Sequence, residues 1–193
     1  MATWTAATAI PAGGLITSGW MNNVTGMVNF LGAAGTGAKD FFFARQTTAQ
    51  SLTTAAGRGT ANRINWDTED IDAANGHGTS TTTYMGYTAQ STGKYALQAG
   101  IPLTAGGAST DFVTISFFKG SGGTSSTEMN GFRFVFPIVS LTQTGHYITP
   151  IAYASVTAGE VIDVRVSPSF NGTTVASTAT NTQPTFSVQW VGA

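Results

Sequence analysis

The sequence contains no cysteine and very little charge, with 9 acidic and 8 basic residues in a chain of 193. Without cysteine there is no disulfide, no thiolate metal site and no cysteine nucleophile, so stability must come from packing and assembly. Charged residues make up 9% of the chain, where a soluble domain usually carries roughly a quarter. A monomer so poor in charge has little to keep it soluble alone, which points to a surface covered by partners. The net charge is −1 and the basic residues are scattered, so the electrostatic footprint of nucleic-acid binding is missing. No apolar run approaches the roughly eighteen residues of a membrane-spanning helix, and no basic region precedes an apolar stretch at the N-terminus. Neither a membrane anchor nor a secretory signal is expected, which places synthesis in the cytoplasm.

What the chain does have is aromatic and aliphatic bulk. It is 41% hydrophobic, with 12 Phe, 5 Tyr and 4 Trp, which separates it from charge-rich disordered sequences. Its length suits one ordinary domain plus an appendage. Residues 1–16 are small and polar, with Pro11 and Gly13-Gly14, and read as an extended arm. Thr17 or Ser18 is placed to cap a helix, and Trp20, Val24, Met27, Val28 and Leu31 recur at helical spacing as one apolar stripe. Gly32 sits where a C-terminal cap belongs, and Gly35-Thr36-Gly37 continues as a flexible joint. Residues 1–37 are therefore expected to form an arm and an amphipathic anchor helix that docks on a larger assembly or pairs within an oligomer.

From Asp40 the pattern changes to strands. They are expected at 41–46, 63–68, 82–87, 95–101, 112–119, 132–141, 146–155, 161–167 and 185–191, separated by glycine-rich turns such as Gly106-Gly107, Ala158-Gly159 and Asn171-Gly172. Short strands without intervening helical periods indicate an all-β antiparallel sandwich or jelly roll over residues 40–193. Alternation predicts one apolar and one mixed face on each sheet, with Asp163 and Arg165 on the mixed one. Phe41-Phe42-Phe43 and Phe117-Phe118 put aromatics on both faces of their strands, which demands a second cover.

Catalytic and metal-binding patterns are sparse. Asp67, Glu69, Asp70 and Asp72 form the one dense carboxylate group. Their spacing lacks the glycine and closing glutamate of an EF-hand, so turn capping or solvation competes with a bound cation. His77 and His146 lie in glycine-rich surroundings without a serine elbow. No pair of carboxylates stands out for glycoside hydrolysis. Gly120 to Gly123 lacks the lysine of a phosphate loop and reads as a hairpin turn. No cofactor is expected, and the chain is not expected to be an enzyme.

Three short patterns in order carry a resemblance: Trp66-Asp67-Thr68-Glu69, Gly93-Lys94-Tyr95 and Phe186-Ser187-Val188-Gln189-Trp190. Over residues 40–193 the chain resembles the C1q/tumour-necrosis-factor-like jelly roll. That resemblance implies a homotrimer associated through aromatic and aliphatic faces, with Phe41, Phe43, Tyr95, Phe117, Phe186 and Trp190 assigned to trimer or core packing and Tyr95 expected to contribute to the threefold contact. It also makes a cation near Asp67/Glu69/Asp70/Asp72 conceivable. The segment Ala12-Gly-Gly-Leu-Ile-Thr-Ser-Gly-Trp20-Met-Asn22-Asn-Val24 looks like that of phage virion proteins. By this likeness the chain is a structural virion protein, a trimeric capsid decoration or head-fibre protein attached to the major capsid protein or another virion protein by its N-terminal segment. The alternatives are a minor tail or receptor-binding protein contacting host-surface glycans and, more remotely, a polysaccharide-degrading enzyme.

Overall fold

The computed structural model describes residues 40–77, 86–104, 111–121, 127–138, 144–170, 172–174 and 183–192. Asp40–Ala193 makes up one compact unit. The expected arm and helix, with Trp20, Val24, Met27, Val28 and Leu31, lie outside the described residues.

Two antiparallel sheets face each other. The smaller runs β4 (Gly86–Thr88), β10 (Val161–Pro168), β6 (Phe112–Gly120) and β7 (Thr127–Pro137). The larger runs β2 (Ser51–Leu52), β11 (Gly172–Thr174), β5 (Gly93–Thr104), β12 (Thr185–Gly192), β1 (Phe41–Arg45) and β3 (Thr68–Asp72). Along the other edge of β5 lie β8 (Thr144–Ile148) and β9 (Ala152–Val156). Sequence neighbours such as β4 and β5 sit in different sheets, so the chain repeatedly crosses between layers. This is the all-β jelly-roll sandwich that the strand pattern predicts.

Alternation explains which side of each strand meets the core. On β5 the residues Tyr95, Leu97, Ala99, Ile101 and Leu103 are buried, and on β12 Phe186 and Val188 are. Opposite them β6 contributes Val113, Ile115 and Phe117, and β10 contributes Ile162, Val164 and Val166. Phe42 turns inward while Phe41 remains 38% exposed, so the aromatic run is two-faced as expected.

Four expectations need correction. Residues 63–68 do not form a strand. Ile64 and Trp66 are buried, which produced the alternating signal, but main-chain pairing there is limited to one isolated bridge between Arg63 and Arg165, with the Ile64 N–H on the Val164 carbonyl at 3.0 Å, and the Gln50 side chain takes over, donating to the Arg63 carbonyl at 2.7 Å and accepting from the Asn65 N–H at 3.1 Å. The strand begins at Thr68. The run expected at 146–155 is two strands, because Pro150 has no N–H to continue the ladder and the Thr149 N–H and hydroxyl both engage Ala99. β7 starts five residues before the expected Phe132, at Thr127. The two short strands β2 and β11 were not anticipated.

The mixed face of the small sheet also differs from expectation. Asp163 and Arg165 point away from the core yet are buried, because residues 51–63, with short 3-10 turns at Thr54–Ala56 and Thr60–Asn62, pack across β10. Arg165 donates to Asp163 at 3.3 Å and to the Arg58 carbonyl at 3.0 Å, and its guanidinium stacks 3.8 Å from the Phe118 ring centre. Arg63 approaches the other Asp163 oxygen at 3.5 Å. The second cover demanded by Phe117-Phe118 is therefore this segment of the same chain.

Candidate functional site

The outer face of the large sheet has no such cover among the described residues and carries most of their exposed large hydrophobics, the small sheet exposing Phe112 and Val135. Phe41, Ile71, Ile148 and Tyr153 project from it, with Tyr153 the most exposed large hydrophobic at 64%. Val191, in the β12 bulge, and Ile151, just before β9, extend the two ends. The apolar groups fall into two margins: Phe41, Ile71 and Val191 near β1 and β3, and Ile148, Ile151 and Tyr153 along β8 and β9.

Between the margins, walled on one side by Ile148, lies a hollow of about 290 Å³. Its floor is set by Gly100, which pairs with Thr185 on one side and Ile148 on the other. A methyl group at Gly100 would stand 2.9 Å from the Thr185 hydroxyl, so the missing side chain creates the depression. Phe43, Gln98, Gln183 and Ser187 stand around it, and His146 closes one end. The carbonyl of Gln183 accepts from Arg45 Nη1 at 2.7 Å, and Arg45 in turn holds Asp70 through two donors, one at 2.6 Å. The other end of that amide, Nε2, is buried and has no partner among the described residues.

The acidic segment resolves into separate local duties. The Asp67 carboxylate accepts from the N–H groups of Thr47 and Thr48 at 2.6 and 2.8 Å. Asp72 accepts from the N–H groups of Gly76 and His77 at 3.0 and 2.8 Å. Glu69 meets His77 Nδ1 at 3.2 Å. Turn capping is thus what Asp67 and Asp72 do, and no group of three metal-ligating side chains occurs among the described residues.

These contacts have a pH consequence. Burial pushes Asp67 up, but the hydrogen bonds from Thr47 and Thr48 outweigh it and hold the carboxyl below its ordinary range. Arg45 holds Asp70 low by hydrogen bond and charge. Glu160, raised by burial but bonded by Thr157 and Lys119, is also lowered. Carboxylates depressed in the folded state bind fewer protons there than in the unfolded chain, so their contribution is full above the ordinary range near 4 and is lost as pH falls through the folded values. The melting temperature is expected to be level from about pH 7 to 5 and to fall below about pH 4, with a shallower acid decline in Asp67→Asn. An identical decline in that variant removes Asp67 from the acid response.

The predicted packing residues divide between the two sides of the sheet. Tyr95, Phe117 and Phe186 are completely buried. Tyr95 therefore cannot reach a neighbouring subunit; its hydroxyl donates to the buried Asp40 carboxylate, whose same oxygen accepts from the Gln90 and Ser91 N–H groups at 2.7 and 3.1 Å. Burial and the Asp40 charge push the Tyr95 phenol far above its ordinary range. Phe41 and Phe43 lie on the outer face, Phe43 lining the hollow. Trp190 is half-buried, its indole N–H reaching the Thr92 carbonyl at 3.3 Å. The sequence reading missed Asp40, Gln98, Gly100 and Gln183. They are ordinary residues in sequence, and the lining of the hollow comes from separate strands.

The topology and the two packed faces define a tumour-necrosis-factor-like jelly roll. The chain is similar to the solved structure of Eiger TNF from S. frugiperda, with a TM-score of 0.53 and 11% identity over 80% of this chain and 93% of that one. At that identity the likeness concerns the fold. No family model matches the sequence, and no curated protein is significantly similar to it.

Proposed function

We propose that this chain is a structural protein of a bacteriophage particle, a homotrimeric capsid decoration or head-fibre protein held to the shell by residues 1–37, with no enzymatic role. The observation that carries the reading is the uncovered outer face of the large sheet, with its two apolar margins, on a chain with 9% charged residues. Exposed apolar surface of this kind marks an interaction site. The jelly-roll fold and the resemblance of residues 12–24 to phage virion segments support the trimer and the particle. Margins on opposite ends of one sheet suit a head-to-tail contact, in which one margin meets the other margin of the next copy and a threefold ring closes.

Light scattering is expected to give about three times 19.9 kDa. Tyr153→Asp is expected to yield monomers, because a charge would have to be desolvated at the contact. A wild-type monomer at micromolar concentration overturns the trimer. Cryo-microscopy of particles with and without the protein tests location: threefold density on the shell is expected, and density on the tail alone favours the receptor-binding alternative.

A further inference from the structure

We propose that Asn130-Gly131 is a site of spontaneous covalent modification, at which the asparagine amide is converted through a cyclic imide to an aspartyl or β-linked isoaspartyl residue, with water as the co-reactant. In the first step the Gly131 nitrogen attacks Cγ of Asn130. A C–N bond forms, the bond to the side-chain amide nitrogen breaks, and ammonia leaves with the proton given up by the Gly131 N–H. Water then opens either carbonyl of the ring, so no electrons are gained or lost and the net change is ammonia out and water in. A side chain at residue 131 would crowd the attacking nitrogen, and glycine has none. The pair lies on the small sheet, and its reactivity requires neither the trimer nor a place in a particle.

The fold leaves this pair free to react. In the register of β6 with β7, Ser116 faces Arg133 and Phe118 faces Glu128, so Met129, Asn130, Gly131 and Phe132 together stand against Phe117 as a bulge on the edge strand of the small sheet. Met129 is buried and Phe132 packs on the core, while Asn130 and Gly131 are exposed. Arg133 clamps the two feet of the bulge, donating to both Glu128 oxygens at 2.8 and 2.7 Å. Gly131 has a φ of +81° and open space where a side chain would stand. The peptide between Asn130 and Gly131 can therefore turn its nitrogen onto the amide carbon without unfolding either flank. Asn75-Gly76 puts the same two residues in the opposite setting. The Gly76 N–H donates to Asp72 at 3.0 Å, its carbonyl accepts from the Thr88 N–H at 2.7 Å, and a methyl group on Gly76 would stand 2.3 Å from the Tyr87 ring. Attack there first requires the loop to open. A third pair, Asn171-Gly172, begins outside the described residues. Each conversion at Asn130 adds a carboxyl that is ionised at neutral pH to a chain with 9 acidic and 8 basic residues, and the isoaspartyl form also lengthens the main chain of the bulge by a carbon.

The test keeps the full chain, in its native oligomeric state and in parallel in concentrated guanidinium chloride, in warm, mildly alkaline buffer for several weeks. Samples are digested at acid pH, and mass spectrometry follows each Asn-Gly peptide through its mass gain and its isoaspartyl fragments. In the native protein Asn130 is expected to convert faster than Asn75 by roughly tenfold or more, because local structure protects the Asn75 loop. In guanidinium chloride the two rates are expected to converge. Asn130→Gln, whose longer side chain closes a ring far more slowly, is expected to keep the wild-type melting temperature and to lose an acidic band in isoelectric focusing of the aged protein. Native Asn130 that stays intact while the denatured chain converts overturns the proposal, whether the bulge is rigid or a neighbouring copy covers it. Equal native rates at Asn130 and Asn75 overturn it too, since the fold then selects neither site. An unchanged focusing pattern in folded Asn130→Gln does the same, and if that variant fails to fold the two wild-type rates decide alone.

Discussion

Asp40→Ala is expected to lower stability by about 3–5 kcal/mol, because it leaves three donors aimed at an absent acceptor. Asp40 is fully buried at the start of β1. One of its carboxylate oxygens takes the N–H groups of Gln90 and Ser91 and the hydroxyl of Tyr95, while its main-chain carbonyl accepts the Trp190 N–H at 2.7 Å. A single side chain thus ties the first strand to the turn that opens β5. Each kcal/mol shifts the midpoint of a domain of this size by roughly 2–4 °C, so a fall of about 10 °C or more is expected in calorimetry at pH 7. Asp40→Asn keeps one acceptor oxygen and is expected to lose about half as much. If the alanine variant melts within about 2 °C of wild type, the carboxylate is not the fastener it resembles.

The importance of Asp40 was invisible before the fold was known, for a reason that also governs the other misses. Period-two alternation reports which side chains face away from the core, but not whether that side meets water. At β10 the outward residues Asp163 and Arg165 meet residues 51–63 instead. At 63–67 the inward residues Ile64 and Trp66 are buried although main-chain pairing is limited to the single bridge of Arg63 with Arg165. Where strands have both neighbours, as β5 and β12 do, alternation and observed burial agree from Tyr95 to Ile101 and from Phe186 to Val188. The apolar margins were legible in part, since Phe41-Phe42-Phe43 announces a two-faced strand. The hollow was not, because Phe43, Gly100, Gln183 and Ser187 are brought together only by the lateral order of β1, β12 and β5.

Phe186→Ala should reveal how far the two sheets depend on one aromatic junction. Phe186 is completely buried on β12, stacked on Trp66 at 5.4 Å between ring centres, edge-on to Phe42 at 5.8 Å and tilted against Phe117 at 6.2 Å. Phe42 belongs to its own sheet and Phe117 to the opposite one, so the ring bridges both layers and the buried loop carrying Trp66. Truncation removes the transfer energy of the ring and opens a cavity that neighbours held by backbone ladders can close only in part, a combined cost of about 3–5 kcal/mol. Trp190→Ala supplies the comparison: a larger ring on the same strand, but half-exposed, so less of its area leaves water on folding and a smaller loss is expected. Urea unfolding at one fixed protein concentration separates the two, since assembly adds a concentration-dependent term to any apparent stability. For Phe186→Ala the midpoint should fall with the slope unchanged, the sign of lost packing in an otherwise intact fold. A loss no larger than that of Trp190→Ala would mean that the core repacks around the gap and that the junction is not where the sheets are held.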